Sequence, residues 1–327
     1  MLRRQAWVGV IACYVLFAFA YVYPDDFRSR SPAFVFGGWM AFLIRALIAY
    51  AGWLLLLVAG VAALRRARRL LAATVPVLLF ALGPTLWQYR PKTPPTLRGA
   101  PLTVMSVNLL VMNENTGPII EEIRAARPDV LLLQEYTHHW HEAIREAVGE
   151  NYPFMSFVAR EDSFGAAIYS RLPFREEPRW DLALGETDVP EMRAVLAAGD
   201  RSIAVYNIHL LPAKNIRYTT ATRRQFADLA NLLGEERLPL ILAGDFNFTE
   251  RCPQAAVLRA GGLNEAHELG GRGPGATWPV ISFFRYLPGI RIDHIYLKNG
   301  LSCTRCETGV GVGSDHRPVI ARIGFEE

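Results

Sequence analysis

Three apolar runs fill most of the first 90 of 327 residues, and they divide the molecule in two. Gln5–Tyr23 and Leu70–Tyr89 carry no charge, and Gly37–Leu64 carries only Arg45. Crossing the hydrocarbon core takes roughly 20 apolar residues in a helix, which each run supplies. Pro76 and Pro84 are tolerated in a lipid-embedded helix. Arg45 is near enough to the start of its run for the guanidinium to snorkel. Trp7, Tyr21, Tyr23, Trp39, Trp87 and Tyr89 mark the ends, where aromatic belts form. Residues 1–90 therefore read as an all-α anchor of three transmembrane helices, about 5–23, 37–64 and 70–89. Ala18-Phe19-Ala20 also fits a signal-peptidase site, so removal of the first span stays open. The Arg-rich punctuation between uncharged runs argues against core helices of a soluble domain.

Charge orients the anchor. Residues 1–90 hold 10 Lys+Arg and 2 Asp+Glu, whereas residues 91–327 hold 25 and 29. Arg3 and Arg4 precede the first span, and Arg65, Arg66, Arg68 and Arg69 separate the second from the third. The positive-inside rule puts both clusters in the cytoplasm and the C-terminal part on the extracytoplasmic face of a multi-pass membrane protein. Residues 91–101 are proline-rich and polar, and read as a linker. The net −4 beyond residue 90 opposes broad duplex binding, which rests on many Lys and Arg contacts to phosphate. Four cysteines exclude a disulfide scaffold.

Residues 102–327 alternate strand-length apolar runs with amphipathic helices. Strands are expected at 102–108, 130–134, 166–170, 192–198, 203–208, 240–243, 292–297 and 318–322, with helices at 118–126, 138–148, 216–233 and 254–260. Successive strands without an intervening helix, as across 192–208, point to a mixed two-sheet α/β arrangement. Polar residues recur where strands end: Asn108, Glu135, His209, Asp245, Asn247, Asp293, Asp315 and His316. Singly, each is explained by turn chemistry.

Together and in this order, Ser106-Val107-Asn108, Leu133-Gln134-Glu135, Gly165–Arg171, Asn207-Ile208-His209-Leu210, Gly244-Asp245-Phe246-Asn247, Arg291–Ile295 and Gly313–Pro318 resemble the endonuclease/exonuclease/phosphatase superfamily, which has the DNase I fold. The resemblance runs through residues 102–325. It implies a four-layer α/β/β/α sandwich and hydrolysis of phosphate esters with Mg²⁺, or alternatively Mn²⁺. By the same resemblance Glu135 is the principal metal ligand, with Asn108 and Asp315 near the ion. Asp245 orients or deprotonates water, and Asn247 holds that water or a phosphate oxygen. His316, with Asp293 as its carboxylate partner, and His209 bind phosphoryl oxygens. The membrane anchor resembles bacterial members of the VanJ type, which implies a lipid-linked phosphate or pyrophosphate substrate. A tethered nuclease acting on DNA or RNA and a non-catalytic scaffold are the alternatives.

Other features read more plainly. Arg171 and Arg193 are candidates to attract phosphate, and Trp278, with Phe283, Phe284 and Tyr286, to wall the substrate. His138-His139-Trp140-His141 has no acidic or cysteine partner nearby in sequence and reads as a helix surface. His294 points away from Asp293 if both lie in one strand, and His267 has no assigned role. Cys303 and Cys306 would face opposite sides of a regular strand, which opposes a disulfide between them.

Overall fold

The computed structural model describes residues 2–24, 26–29, 31–280 and 286–327. Four helices come first: α1 (Leu2–Val22), α2 (Pro32–Ala46), α3 (Ile48–Leu64) and α4 (Arg68–Trp87). By length and composition α1 and α4 each suffice to cross a membrane. The run expected to be one span over 37–64 is divided between α2 and α3, which are bent by 54° at Leu47 and together are apolar enough for a single broken span or a re-entrant loop. α3 keeps 17 residues, about 25 Å of helix. α1, α3 and α4 pack around Val10, Phe17, Ile48, Leu55, Leu70 and Val77. Gly52 permits their closest approach, since a Cβ there would meet Leu82 Cγ at 2.6 Å. Val15, Leu54, Leu57 and Leu79 stay largely exposed, leaving the bundle's outer surface apolar.

The remainder is a four-layer sandwich. One sheet contains β1 (Leu97–Asn108), β2 (Val130–Gln134), β3 (Phe154–Val158), β4 (Ala166–Ser170), β10 (Leu301–Thr308) and β11 (Val319–Glu326), in the order β10-β11-β1-β2-β4-β3. The other contains β5 (Met192–Ala198), β6 (Arg201–His209), β7 (Leu240–Asp245), β8 (Asn264–Glu265) and β9 (Asp293–Lys298), ordered β5-β6-β7-β9-β8. Helices α5 (Gly117–Ala126) and α6 (His138–Val148) cover the first sheet. Helices α7 (Ile216–Glu235) and α8 (Pro253–Ala260) cover the second, and the short α9 (Ala266–Gly270) lies against β10. The inter-sheet core comprises Val104, Val130, Leu132, Ile168, Val205, Ile241, Ile295 and their neighbours. Their uninterrupted apolar runs are what strands buried on both faces require.

β1 begins at Leu97, inside the stretch read as linker, and pairs there with Glu326 across a register shift before Leu102. A similar irregularity corrects the reading of the cysteines. The β10 register shifts between Cys303 and Arg305, and this bulge rephases the strand so that Cys303 and Cys306 both enter the inter-sheet core as free thiols.

α2 does not belong to the apolar bundle alone. Phe27, Phe42 and Ala46 pack against the core formed by α7, α8 and the second sheet. Trp39 Nε1 donates to Ala213 O (2.7 Å), and Arg223 of α7 donates to Asp26 O. Lower down, Arg251 donates to Ala81 O of α4 (2.9 Å). Helical bundle and sandwich thus share side-chain and backbone contacts along two helices.

Candidate active site

The site follows from two parallel strand pairs. β1 runs parallel to β2, bringing Asn108 beside Gln134, and β6 runs parallel to β7, bringing His209 beside Asp245. Each pair ends on the same rim, where loops gather polar groups. β9 runs antiparallel to β7 and starts there, with Asp293 opposite Asp245. The loop before β11 adds Asp315 and His316, held because Ser314 Oγ donates to Asn108 O (2.7 Å) and accepts from His316 N (3.0 Å). A buried polar link fixes one sheet on the other: Gln134 Nε2 donates to Asn207 Oδ1 (2.6 Å), and Asn207 Nδ2 reaches Leu133 O and Ala167 O. Gln134 Oε1 has no hydrogen-bond partner among the described residues, but the bonds that are made favour one register.

Asn108 bridges two carboxylates, its Nδ2 donating to Glu135 Oε1 (3.1 Å) and Asp245 Oδ2 (3.2 Å). Glu135 sits at φ 54°, a conformation that turns its side chain over the strand end, and its Oε2 accepts from Val111 N (2.7 Å). Asp245 Oδ1 accepts from Asn247 N (2.9 Å), and its Oδ2 lies 3.5 Å from His209 Nε2 and 3.8 Å from His316 Nε2. Burial raises the Asp245 carboxyl above its ordinary value; the His316 charge opposes that rise, and Asp293 adds to it. Asn247 Nδ2 is committed to Leu210 O (2.8 Å).

His316 Nδ1 hydrogen-bonds Asp293 Oδ2 at 2.8 Å, and its Nε2 lies 3.9 Å from Asp315 Oδ1. Burial alone would lower its pKa, but Asp293 and Asp245 prevail and hold it at about 10. The imidazolium is therefore the form present at neutral pH. Asp293 is fixed in turn through Thr277, whose Oγ1 accepts from the N–H groups of Ile292 and Asp293 (3.2 Å each). Trp278 Nε1 donates to Asp315 Oδ2 (3.0 Å).

Glu135, His209, Asp245, Asn247, Trp278, Asp315 and His316 line one cleft of about 620 Å³. Phe42, Leu43, Ala46 and Leu47 line the same cleft from α2 and its break.

Two expected substrate residues lie elsewhere. Arg171 follows β4, which runs antiparallel to β2, so it stands at the strand end remote from Glu135; it faces Asp129 (3.6 Å) and the Tyr152 ring. Arg193 shares a face with its partner Tyr206, toward the helices rather than the cleft, and is neutralised by Glu176 and Glu236. Phe283 and Phe284 lie outside the described residues, and Tyr286 does not line the cleft.

His138 pairs with Glu161 on the surface, and His141 stacks on Phe157, as a helix surface requires. His294 is buried between Glu265 Oε1 (2.7 Å) and Phe248 O (2.8 Å), and His267 Nε2 contacts Gly273 O (2.7 Å). Sequence reasoning missed Glu191, a fully buried carboxyl whose Oε2 accepts the His209 backbone N–H (2.9 Å). Nothing in its surroundings, Val189-Pro190-Glu191-Met192, separates it from a surface acid.

Two sheets face to face, with a rim of carboxylates, amides and imidazoles gathered from six segments, define the class of fold. The chain belongs to the Endonuclease/Exonuclease/phosphatase family, whose match extends over residues 105–316. Solved structures agree on the fold. An endonuclease/exonuclease/phosphatase from Beutenbergia cavernae DSM 12333 is 17% identical with a TM-score of 0.56, covering 70% of this chain and 72% of its own. The 3'-5' exonuclease NExo from Neisseria meningitidis is 18% identical, TM-score 0.57, covering 68% of this chain and 100% of its own. Humanized D. rerio TDP2 is 16% identical, TM-score 0.58, with 69% and 100% covered. No curated protein matches the chain significantly.

Proposed function

We propose that the protein is a divalent-metal-dependent phosphoesterase that hydrolyses a lipid-linked phosphate ester or pyrophosphate at the extracytoplasmic membrane face. The observation that carries this reading is the shared cleft, in which the acidic and imidazole side chains stand beside Phe42, Leu43, Ala46 and Leu47. Leu47 is the break from which α3 departs into the apolar bundle, so a hydrocarbon chain leaving a bilayer along α3 meets the cleft wall first.

The donor set suits Mg²⁺ or Mn²⁺. Glu135 and Asp315 offer hard carboxylate oxygens, and Asn108 Oδ1, which accepts from Leu110 N (2.9 Å), keeps a second lone pair; such ions prefer oxygens over the nitrogen and sulfur sets of zinc. Glu135, Asp245, Asp293 and Asp315 crowd four carboxyl groups together, and a cation offsets that repulsion. Asp245, Asp293 and His316 also lie within 4.8 Å of one another, but the short His316–Asp293 bond commits that group internally. We therefore assign Glu135, Asn108 and Asp315 to the metal, which when bound neutralises charge developing on phosphoryl oxygens.

The chain's own groups do the rest. Asp245, its pKa raised by burial, accepts a proton from water better than an exposed aspartate does. The backbone N–H of Asn247 holds the other Asp245 oxygen and so aims the carboxylate. His316 donates from Nε2 to a phosphoryl oxygen, while Asp293 fixes its ring and favours its charge. His209 lines the same cleft as a second imidazole. The basic clusters at one end of the bundle support cytoplasmic placement of residues 65–69, with the sandwich outside.

Full-length protein in Mg²⁺ tests this against vesicle-borne polyprenyl pyrophosphate, phospholipids, plasmid DNA and soluble bis(p-nitrophenyl) phosphate. Leu47→Asp is expected to cut lipid hydrolysis about tenfold or more, given the cost of a charge in an apolar wall, while sparing the soluble diester. Faster nicking of DNA than hydrolysis of any lipid at physiological salt overturns the lipid assignment.

A further inference from the structure

The cleft continues past the reacting groups. Phe164, whose ring lies 5.9 Å from that of His209, and Tyr218 form a boundary shared with a second pocket of about 390 Å³. That volume is within the range of small-molecule sites, roughly 300–1,000 Å³. No residue of α2 lines this extension; its walls are mixed, with Arg160, Thr187, Asp188 and Arg217 set among Val189, Leu211 and Ala221.

Arg160 and Arg217 balance Asp162 and Asp188 in this lining, and Lys214 on the cleft side leaves one positive charge over. Arg160 bonds both Asp162 (2.7 Å) and Asp188 (2.9 Å), so one guanidinium engages both carboxylates. Arg217 faces the pocket with no ion pair among the described residues. Lys214, on the cleft side of the boundary, likewise has no carboxylate partner among them and rests its Nζ 4.1 Å from the Tyr218 ring centroid. Arg193 and Arg291, by contrast, are matched, the first by Glu176 and Glu236 and the second by Glu265. An unmatched pair of cations across an aromatic boundary is a receptor for negative charge held one substituent away from the scissile phosphorus.

We propose that this second pocket is a headgroup subsite in which Arg217 and Lys214 bind an anionic headgroup, so that the substrate is a lipid phosphodiester with an acidic group beyond its phosphate. This rests on the lipid phosphoesterase reading above. In the reaction, the oxygen of water forms a bond to phosphorus, one P–O ester bond breaks, and a proton from that water ends on the departing oxygen. A phosphomonoester and an alcohol result.

The test uses full-length protein with Mg²⁺ and vesicles of N-succinyl phosphatidylethanolamine (anionic headgroup), phosphatidylcholine (cationic) or phosphatidic acid (no headgroup). Dihexanoyl forms of each, free in solution, are run alongside. Wild type is expected to favour the succinyl lipid over phosphatidylcholine. Arg217→Glu lowers kcat/KM for the succinyl lipid about tenfold or more, and Arg217→Lys restores most of it. The rate on phosphatidic acid, which leaves the subsite empty, is unchanged by either substitution. If Arg217→Glu slows all three alike, if phosphatidylcholine is preferred, or if no headgroup is removed, the subsite is refuted. If the charge effect holds on dihexanoyl substrates while vesicle lipids are ignored, the subsite stands and the membrane-substrate reading fails.

Discussion

Replacing Glu191 with glutamine isolates the energetic cost of one buried carboxyl. The side chain is fully buried, its Oε1 has no hydrogen-bond partner among the described residues, and burial raises its pKa from 4.5 to about 8, although the His209 N–H opposes the rise. A pKa raised on folding means that the native state gains most when the group is protonated. The favourable contribution is therefore complete below pH 4.5 and is lost as pH climbs through 8. At 1.36 kcal/mol per pH unit the full loss approaches about 5 kcal/mol. Glutamine keeps an oxygen to accept the His209 N–H and carries no charge, so its stability lacks this slope. Melting followed by intrinsic fluorescence in detergent, from pH 5 to pH 9, is expected to give nearly equal Tm at pH 5. The variant should then lead by about 10 °C at pH 9, at roughly 2–4 °C per kcal/mol. Parallel curves across that range would refute the reasoning, because they would mean that Glu191 ionises without cost.

Asp245→Asn is expected to lower hydrolysis about 10²–10⁴-fold with circular dichroism unchanged, as loss of a positioned base does. EDTA should abolish activity and Mg²⁺ restore it, and Glu135→Gln should raise the Mg²⁺ needed for half-maximal rate about 10–100-fold in a metal titration. Phe42→Ala, which removes a half-buried ring from the α7 core, should cost about 1–2 kcal/mol of stability, seen as a lower Tm of the whole protein rather than of the helical bundle alone.

Much of the sandwich is legible in the sequence because strands buried on both faces must be apolar throughout. Val130–Gln134, Ala166–Ser170 and Met192–Ala198 fall on their expected bounds. β3 escapes because its residues alternate between half-buried and exposed, and β10 because Thr304, Arg305 and Glu307 interrupt its apolar positions. The rim residues are legible as a set because each borders a buried run, at its end or just before its start. Arg171 and Arg193 mislead because attraction to phosphate is a property of the charge, whereas strand direction and face decide where the charge stands. Glu191 is invisible for the opposite reason: a carboxyl in sequence announces exposure, and only tertiary packing buries it. The bend at Leu47 is equally silent, since Gly37–Leu64 is apolar enough for a lipid-facing or a protein-facing helix, and the surface of α7 settles which.

That surface has a practical corollary for anyone trimming or grafting this enzyme. Cutting the chain at residue 91 would strip Phe27, Phe42 and Ala46 from the α7 core and leave a greasy scar beside the reaction chamber. Soluble fragments should accordingly be drawn to retain residues 24–46 in trans or by circular rearrangement. A foreign helical segment in their place would leave the cleft with one wall missing.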